Sequence, residues 1–159
     1  MEYIGSLSPE HAEAGCFLCR YWSRPAADEH HGVVWRGKRA FVTMNRFPYT
    51  NGHLIIAPET HTGTLDELDA EVFAEMNEFV RRSVRLLGEV AQAQGFNIGM
   101  NLNRCAGAGL PDHVHAHVVP RWAGDTNFMA IVGDVRVIPE ALDAQYRQLV
   151  SGAERLGFR

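Results

Sequence analysis

In the last third of the chain, three histidines alternate with small apolar residues in His113-Val114-His115-Ala116-His117-Val118-Val119-Pro120. Side chains on a strand alternate faces, so the three imidazoles line one side while Val114, Ala116 and Val118 point the other way, into a core. Lining a sheet face with polar rings that need partners is unfavourable for folding, and that cost argues for a working face over an incidental one. The Gly-rich approach CAGAGLPD before the histidines implies close backbone contact with a ligand. A second set of reactive residues lies near the start. Cys16 and Cys19 form C-x-x-C, and with Cys105 they make three cysteines. An odd count with this spacing points to metal or redox chemistry and not to a disulfide framework. The redox reading needs a strand leading into the pair. CFLC has no strand pattern before it, so a structural metal is favoured. Cys105 reads as a small loop or core residue.

Eight histidines are many for this length. His11, His30 and His31 lie in polar, acidic or Gly-bounded stretches and read as solvated. His53, His61, His113, His115 and His117 each sit beside a strand or turn signal.

These residues need a frame. Val33–Arg36 and Ala40–Met44 read as a hairpin around Gly37-Lys38, followed by the turn-rich loop Asn45-Arg46-Phe47-Pro48-Tyr49-Thr50-Asn51-Gly52. His53–Ala57 is β-branched and apolar enough for a buried strand. From Asp69 to Gln94, Val72, Phe73, Met76, Phe79, Val80, Val84, Leu87 and Ala91 recur at helical steps. The spacing predicts one long amphipathic helix with Asp69 as N-cap, Gly95 as stop, and the Phe73/Met76/Phe79/Val80 stripe in the core. Asn97–Asn103 and His113–Val119 are two more strands, and Pro139–Leu156 is a C-terminal helix with Gly157 past its end. Strands gathered around one long helix predict a single α+β domain with a mainly antiparallel five-stranded sheet.

The 159 residues carry 15 Lys+Arg against 19 Asp+Glu, a formal charge of −4. That balance argues against broad charge-driven binding to nucleic acid or membrane. It leaves a nucleotide pocket open, because backbone N–H groups, histidines and one or two cations can hold phosphate. The longest apolar runs, such as Leu54–Pro58, are too short to span a bilayer, and no secretory signal is visible at the start. The expectation is a cytoplasmic protein.

The His-x-His-x-His string followed by two apolar residues resembles the histidine triad superfamily of nucleotide hydrolases and transferases. AFVTMNRFPYTNGHLIIAP is similar to that family's nucleoside-holding loop and strand. NIGMNLN, the Gly-rich approach and VVPRWAGDTNFM resemble the branch of fragile histidine triad proteins and diadenosine tetraphosphate phosphorylases. The resemblance runs over about residues 15–150.

It implies a catalytic pair: His115 as nucleophile, and His117 orienting and contacting the phosphate. A neutral imidazole is largely deprotonated at pH 7 and can attack phosphorus without a separate base. Asn45 and His53 would complete the pocket, Asn101 and Asn103 would touch phosphate or ribose, and backbone N–H groups over Gly107–Leu110, including Gly109 and Leu110, would form an anion nest. Zinc-bearing members, and galactose-1-phosphate uridylyltransferases, imply a structural zinc on Cys16, Cys19, His61 and His113. Four protein ligands leave no open position for catalysis by the metal. The small-molecule substrate would be a dinucleoside polyphosphate, cleaved through a nucleotidyl-histidine, with phosphorolysis favoured. Hydrolysis, phosphoramidate cleavage and nucleotide binding without turnover are the alternatives. The branch usually carries a glutamine shortly before the triad. Gly109-Leu110-Pro111-Asp112 stands there instead, which leaves water and orthophosphate both open as acceptor. Relatives are homodimers, so a homodimer is implied here. Trp122 and Phe128 could cover a base or pack, Arg121 could contact polyphosphate or pair at the surface, and Asp125 and Asn127 could close the pocket.

Overall fold

The computed structural model describes residues 15–125 and 141–159. Chain order is α1 (Phe17–Ser23), α2 (Asp28–His31), β1 (Val33–Arg36), β2 (Ala40–Met44), β3 (Leu54–Pro58), α3 (Ala70–Val90), β4 (Gly95–Met100), β5 (Ala116–Arg121) and α4 (Leu142–Arg155). The strands form one five-stranded sheet in the order β1-β2-β3-β5-β4, with every neighbouring pair antiparallel. His11, Asn127, Phe128 and Pro139 lie outside the described residues.

Period-two alternation decides what each sheet face does. Val42, Met44, Leu54, Ile56, Ala116 and Val118 face α3 and α4, packing on Val72, Met76, Leu86, Leu87 and Leu149. Burying each of those large side chains contributes roughly 1.5–3 kcal/mol. The other face carries a smaller cluster of Val33, Phe41, Ile55 and Ala57, which α1 covers with Leu18 and Tyr21. His53 and His117 fall on this second face, because Leu54 pairs with Val118 and Ile55 with His117. The helices therefore brace the sheet from behind the histidines.

The long helix starts where the sequence puts it: the Asp69 carboxylate accepts the Glu71 and Val72 N–H groups. It ends earlier than expected, at Val90 and not Gln94. Gln92 adopts φ +50, and the Ala91 and Ala93 N–H groups both donate to the Leu87 carbonyl, closing the helix end. Gly95 opens β4 and is no stop. Phe73, placed in the core by its spacing, is 39% exposed on the first turn of α3. The strand expected over Asn97–Asn103 runs over Gly95–Met100, since Asn103 takes φ +65 and turns the chain away.

The expected strand His113–Val119 begins only at Ala116. Ahead of it the Val114 N–H donates to the Thr62 carbonyl, so this stretch is tied to a loop and not to a strand neighbour. The alternation still holds there, with Val114 in the helix-side core. His31, expected in solvent, is buried: its ring stacks on Tyr21 at 4.3 Å, and its carbonyl accepts the Thr43 hydroxyl. Its polar neighbourhood in sequence did not reveal that α1 lies over it.

Candidate active site and metal cluster

The first half of the site gathers residues from three distant stretches. Cys16 caps the N-terminus of α1, Cys19 lies in its first turn, His61 is in the loop after β3, and His113 precedes β5. One ligand atom from each lies within 4.8 Å of all the others. His113 Nδ1 is 3.2 Å from Cys16 Sγ, 3.4 Å from Cys19 Sγ and 3.3 Å from His61 Nδ1. Tetrahedral zinc with N and S ligands has edges of about 3.3–3.8 Å, given its bond lengths. These separations sit close to that range.

The proton arrangement also fits. His113 Nε2 stands 3.0 Å from the Pro58 carbonyl, which can only accept, so Nε2 carries the proton and Nδ1 presents its lone pair to the thiols. A ligating histidine held by a carbonyl on its far nitrogen is how metal sites orient imidazoles. Burial pushes the His113 pKa down to about 4, outweighing the Pro58 bond, so the ring stays neutral. Burial, then the neighbouring Cys16, push the Cys19 thiol up to about 11. These residues fit a structural zinc. The loop bearing His61 is fixed by the Val114–Thr62 bond, by the Thr62 hydroxyl donating to Glu67 at 2.8 Å, and by close approach of Gly63. A Cβ on Gly63 would lie 2.6 Å from the Pro111 carbonyl.

The second half is a chain of imidazoles. The Tyr49 backbone N–H donates to His53 Nδ1 at 3.1 Å, and the Asn45 side-chain amide lies 3.2 Å from the same nitrogen. An amide N–H cannot accept, so His53 holds its proton on Nε2 and donates it to His117 Nδ1 at 2.9 Å. His117 is thereby left with its own proton on Nε2. The left-handed turn at Gly52 (φ +76) places His53 just ahead of β3, which runs over Leu54–Pro58 and not the expected His53–Ala57, and a Cβ on Gly52 would come within 2.8 Å of Leu87.

His115 joins the two halves. Its Nδ1 donates to the His113 carbonyl at 2.8 Å, so Nε2 keeps a free lone pair. Its ring stands edge-on to His117 with centroids 4.8 Å apart. Burial lowers the pKa of His115, and burial, then the repulsion a protonated His115 would exert, brings His117 to about 4, so both are neutral at pH 7. An unprotonated nitrogen next to a neutral N–H donor suits attack on phosphorus with donation to a phosphate oxygen.

The other expected site residues are placed less centrally. The Asn45 carbonyl oxygen accepts the Phe47 N–H at 2.9 Å, so Asn45 organises the loop around His53. Asn101 and Asn103 follow β4, just beyond the pairing of Met100 with Ala116. Gly109 is exposed in the turn ahead of His113, and Leu110 packs against the α1-side cluster. These four stand outside the imidazole chain. Arg121 pairs with Asp125 at 2.6 Å, the Trp122 indole donates to the Ala91 and Gln92 carbonyls, and Cys105 is exposed. Sequence reading missed the Tyr49 amide and the Pro58 carbonyl. Both act through backbone atoms, and no residue type signals them.

Fold and site together define a histidine triad protein. Residues 27–124 match the HIT domain model, and the chain belongs to that family. It is 40% identical over 125 residues to the AP-4-A phosphorylase of Mycobacterium tuberculosis, covering 79% of this chain and 64% of that protein. The match thus spans less than two thirds of that relative's length. It is 29% identical over 93 residues to the asymmetrical bis(5'-nucleosyl)-tetraphosphatase of Schizosaccharomyces pombe, covering 58% of this chain and 50% of that one. Among solved structures it resembles a Zn-bound histidine triad family protein from Mycobacterium smegmatis, with TM-score 0.73, 28% identity, and coverage of 90% and 96%. Among the described residues no helix is long and apolar enough to cross a membrane.

Proposed function

We propose that this chain is a nucleotidyltransferase that cleaves dinucleoside polyphosphates of the diadenosine tetraphosphate type, with orthophosphate as the favoured acceptor. The observation that carries the reading is the free Nε2 lone pair of a neutral, buried His115, set by its Nδ1–H bond to the His113 carbonyl. Nε2 attacks the α-phosphorus, a P–N bond forms, and the P–O bond to the leaving nucleotide breaks. His117 donates its Nε2–H to a phosphate oxygen as charge builds. Asn45, His53, Asn101 and Asn103 serve the nucleotide side, and the Gly109 and Leu110 backbone the phosphate oxygens. In the second step an acceptor oxygen attacks the same phosphorus and the P–N bond breaks, which returns His115. Two displacements predict ping-pong kinetics. A structural zinc on Cys16, Cys19, His61 and His113 supplies rigidity to this segment when bound. The relative named AP-4-A phosphorylase supports phosphate as acceptor. A homodimer and a cytoplasmic location belong to the same proposal, and Ile98, 51% exposed on edge strand β4, supports the first.

The test is product analysis after incubation with diadenosine tetraphosphate, with and without orthophosphate, beside His115→Ala. ADP plus ATP only when phosphate is present is the expected result. AMP plus ATP in both tubes would make the chain a hydrolase. Turnover by His115→Ala at the wild-type rate would overturn the reading.

A further inference from the structure

The metal cluster depends on a helix too short to stand alone. α1 has seven residues, buries only Leu18 and Tyr21, and carries both thiol ligands at its N-terminal end. Helices this short are marginal without tertiary support, and their last carbonyls have no helical partner. The Arg24 N–H satisfies the Tyr21 carbonyl, while at the other end the N-cap Cys16 makes no side-chain capping bond.

Arg36, at the end of β1, reaches across to that C-terminus. Its Nη2 donates to the Tyr21 carbonyl at 2.6 Å, and its Nη1 to the Trp22 carbonyl at 3.1 Å. Its Nε lies 3.1 and 3.0 Å from the two Asp28 oxygens, and Nη2 also meets Asp28 at 2.5 Å. The guanidinium lies over the Trp22 and Phe41 rings at 5.4 and 5.6 Å. The pair is largely buried, at 19% and 18% side-chain exposure. One planar cation thus ties the end of α1 to β1, β2 and α2, while the opposite end of α1 holds Cys16 and Cys19.

We propose that Arg36 is a positioning residue for the metal cluster: it fixes the rotation and tilt of α1 so that both thiols meet His61 and His113. This rests on the zinc reading above. A cation at a helix C-terminus is favourable in itself, but the geometry asks for more than charge. The side chain must bridge two carbonyls and a carboxylate at once, which suits a guanidinium fork and not an ammonium.

The experiment compares zinc release from purified wild type, Arg36→Gln and Arg36→Lys to a chromogenic chelator, with Leu149→Ala as a control that weakens the opposite face. Melting temperatures are recorded with zinc and after its removal. The expected result is release about tenfold faster or more in Arg36→Gln, the lower end of effects seen when groups supporting metal ligands are lost. Arg36→Lys should fall nearer Arg36→Gln than wild type, and Leu149→Ala should release zinc at the wild-type rate. The melting-temperature loss in Arg36→Gln should be larger with zinc than without, whereas a purely structural role gives equal losses. Should Arg36→Gln not fold, Arg36→Lys carries the same comparison. Wild-type release by the Arg36 variants, or equal melting losses with and without zinc, would overturn the assignment while leaving the zinc reading intact. A wild-type chain that takes up no zinc would overturn both.

Discussion

The two ends of the triad segment are held by unlike means. At one end His113 faces two thiols and a second imidazole, brought from stretches 42 to 97 residues apart in sequence. At the other end His117 is held by His53, which is oriented by Tyr49 and Asn45 from the loop immediately before it. The first cluster has two facing Nδ1 atoms and two thiols, an arrangement that could hold a metal ion. The second is already complete as a run of donors and acceptors starting from a backbone N–H. Between them, His115 takes its tautomer from the His113 carbonyl. His115, the proposed nucleophile, is thus set from the candidate metal end and His117 from the loop end, so each can be perturbed separately.

His115→Ala removes the group common to both ends. Turnover of diadenosine tetraphosphate should fall by on the order of 10⁴-fold or more, as when a covalent nucleophile is lost, with zinc content and melting temperature near wild type. His53→Ala strikes the loop end alone. Product-formation assays should show kcat reduced by roughly 10²–10⁴-fold, the range for losing an oriented proton donor, while zinc stays bound. Cys16→Ser strikes the metal end. Zinc per chain should drop well below one, and kcat should fall about 10–100-fold. A loss in Cys16→Ser without any loss of zinc would erase the distinction between the ends.

Acid acts on both ends at once. Burial holds His113 and His117 at about 4, well below the unfolded value near 6.5. Between these values the unfolded chain binds more protons than the folded one, so stability falls as pH drops from about 6.5 towards about 4 and levels off below it. His31 and His115 are lowered in the same direction, again by burial. Urea titrations across this window should show the loss, and His31→Phe should reduce its steepness, the smallest effect here. No pH dependence between 4 and 6.5 would contradict the buried neutral assignment.

Much of this was legible in the residues. The β1–β2 hairpin, the Asp69 cap and the α+β class follow from alternation, helical spacing and turn chemistry alone. Cys16, Cys19, His61 and His113 converge as the family resemblance implies. What was not legible is what backbone atoms decide. The strand begins at Ala116 because the Val114 N–H is spent on Thr62, and helix α3 stops early because Gln92 turns left-handed. His31 looked solvated because the helix that covers it lies earlier in the chain, and its packing on Tyr21 is a tertiary event. Residue type and spacing report side-chain chemistry well and carbonyl acceptors hardly at all.

The neighbouring backbone sets the histidine tautomers. Long-range ¹⁵N–¹H correlation of the imidazoles at pH 7, assigned with single His→Gln variants, tests this most directly. The expected forms are Nδ1–H for His115, Nε2–H for His53 and His117, and Nε2–H with a metal-shifted Nδ1 for His113 in zinc-loaded protein. An Nε2–H or doubly protonated His115 would contradict this.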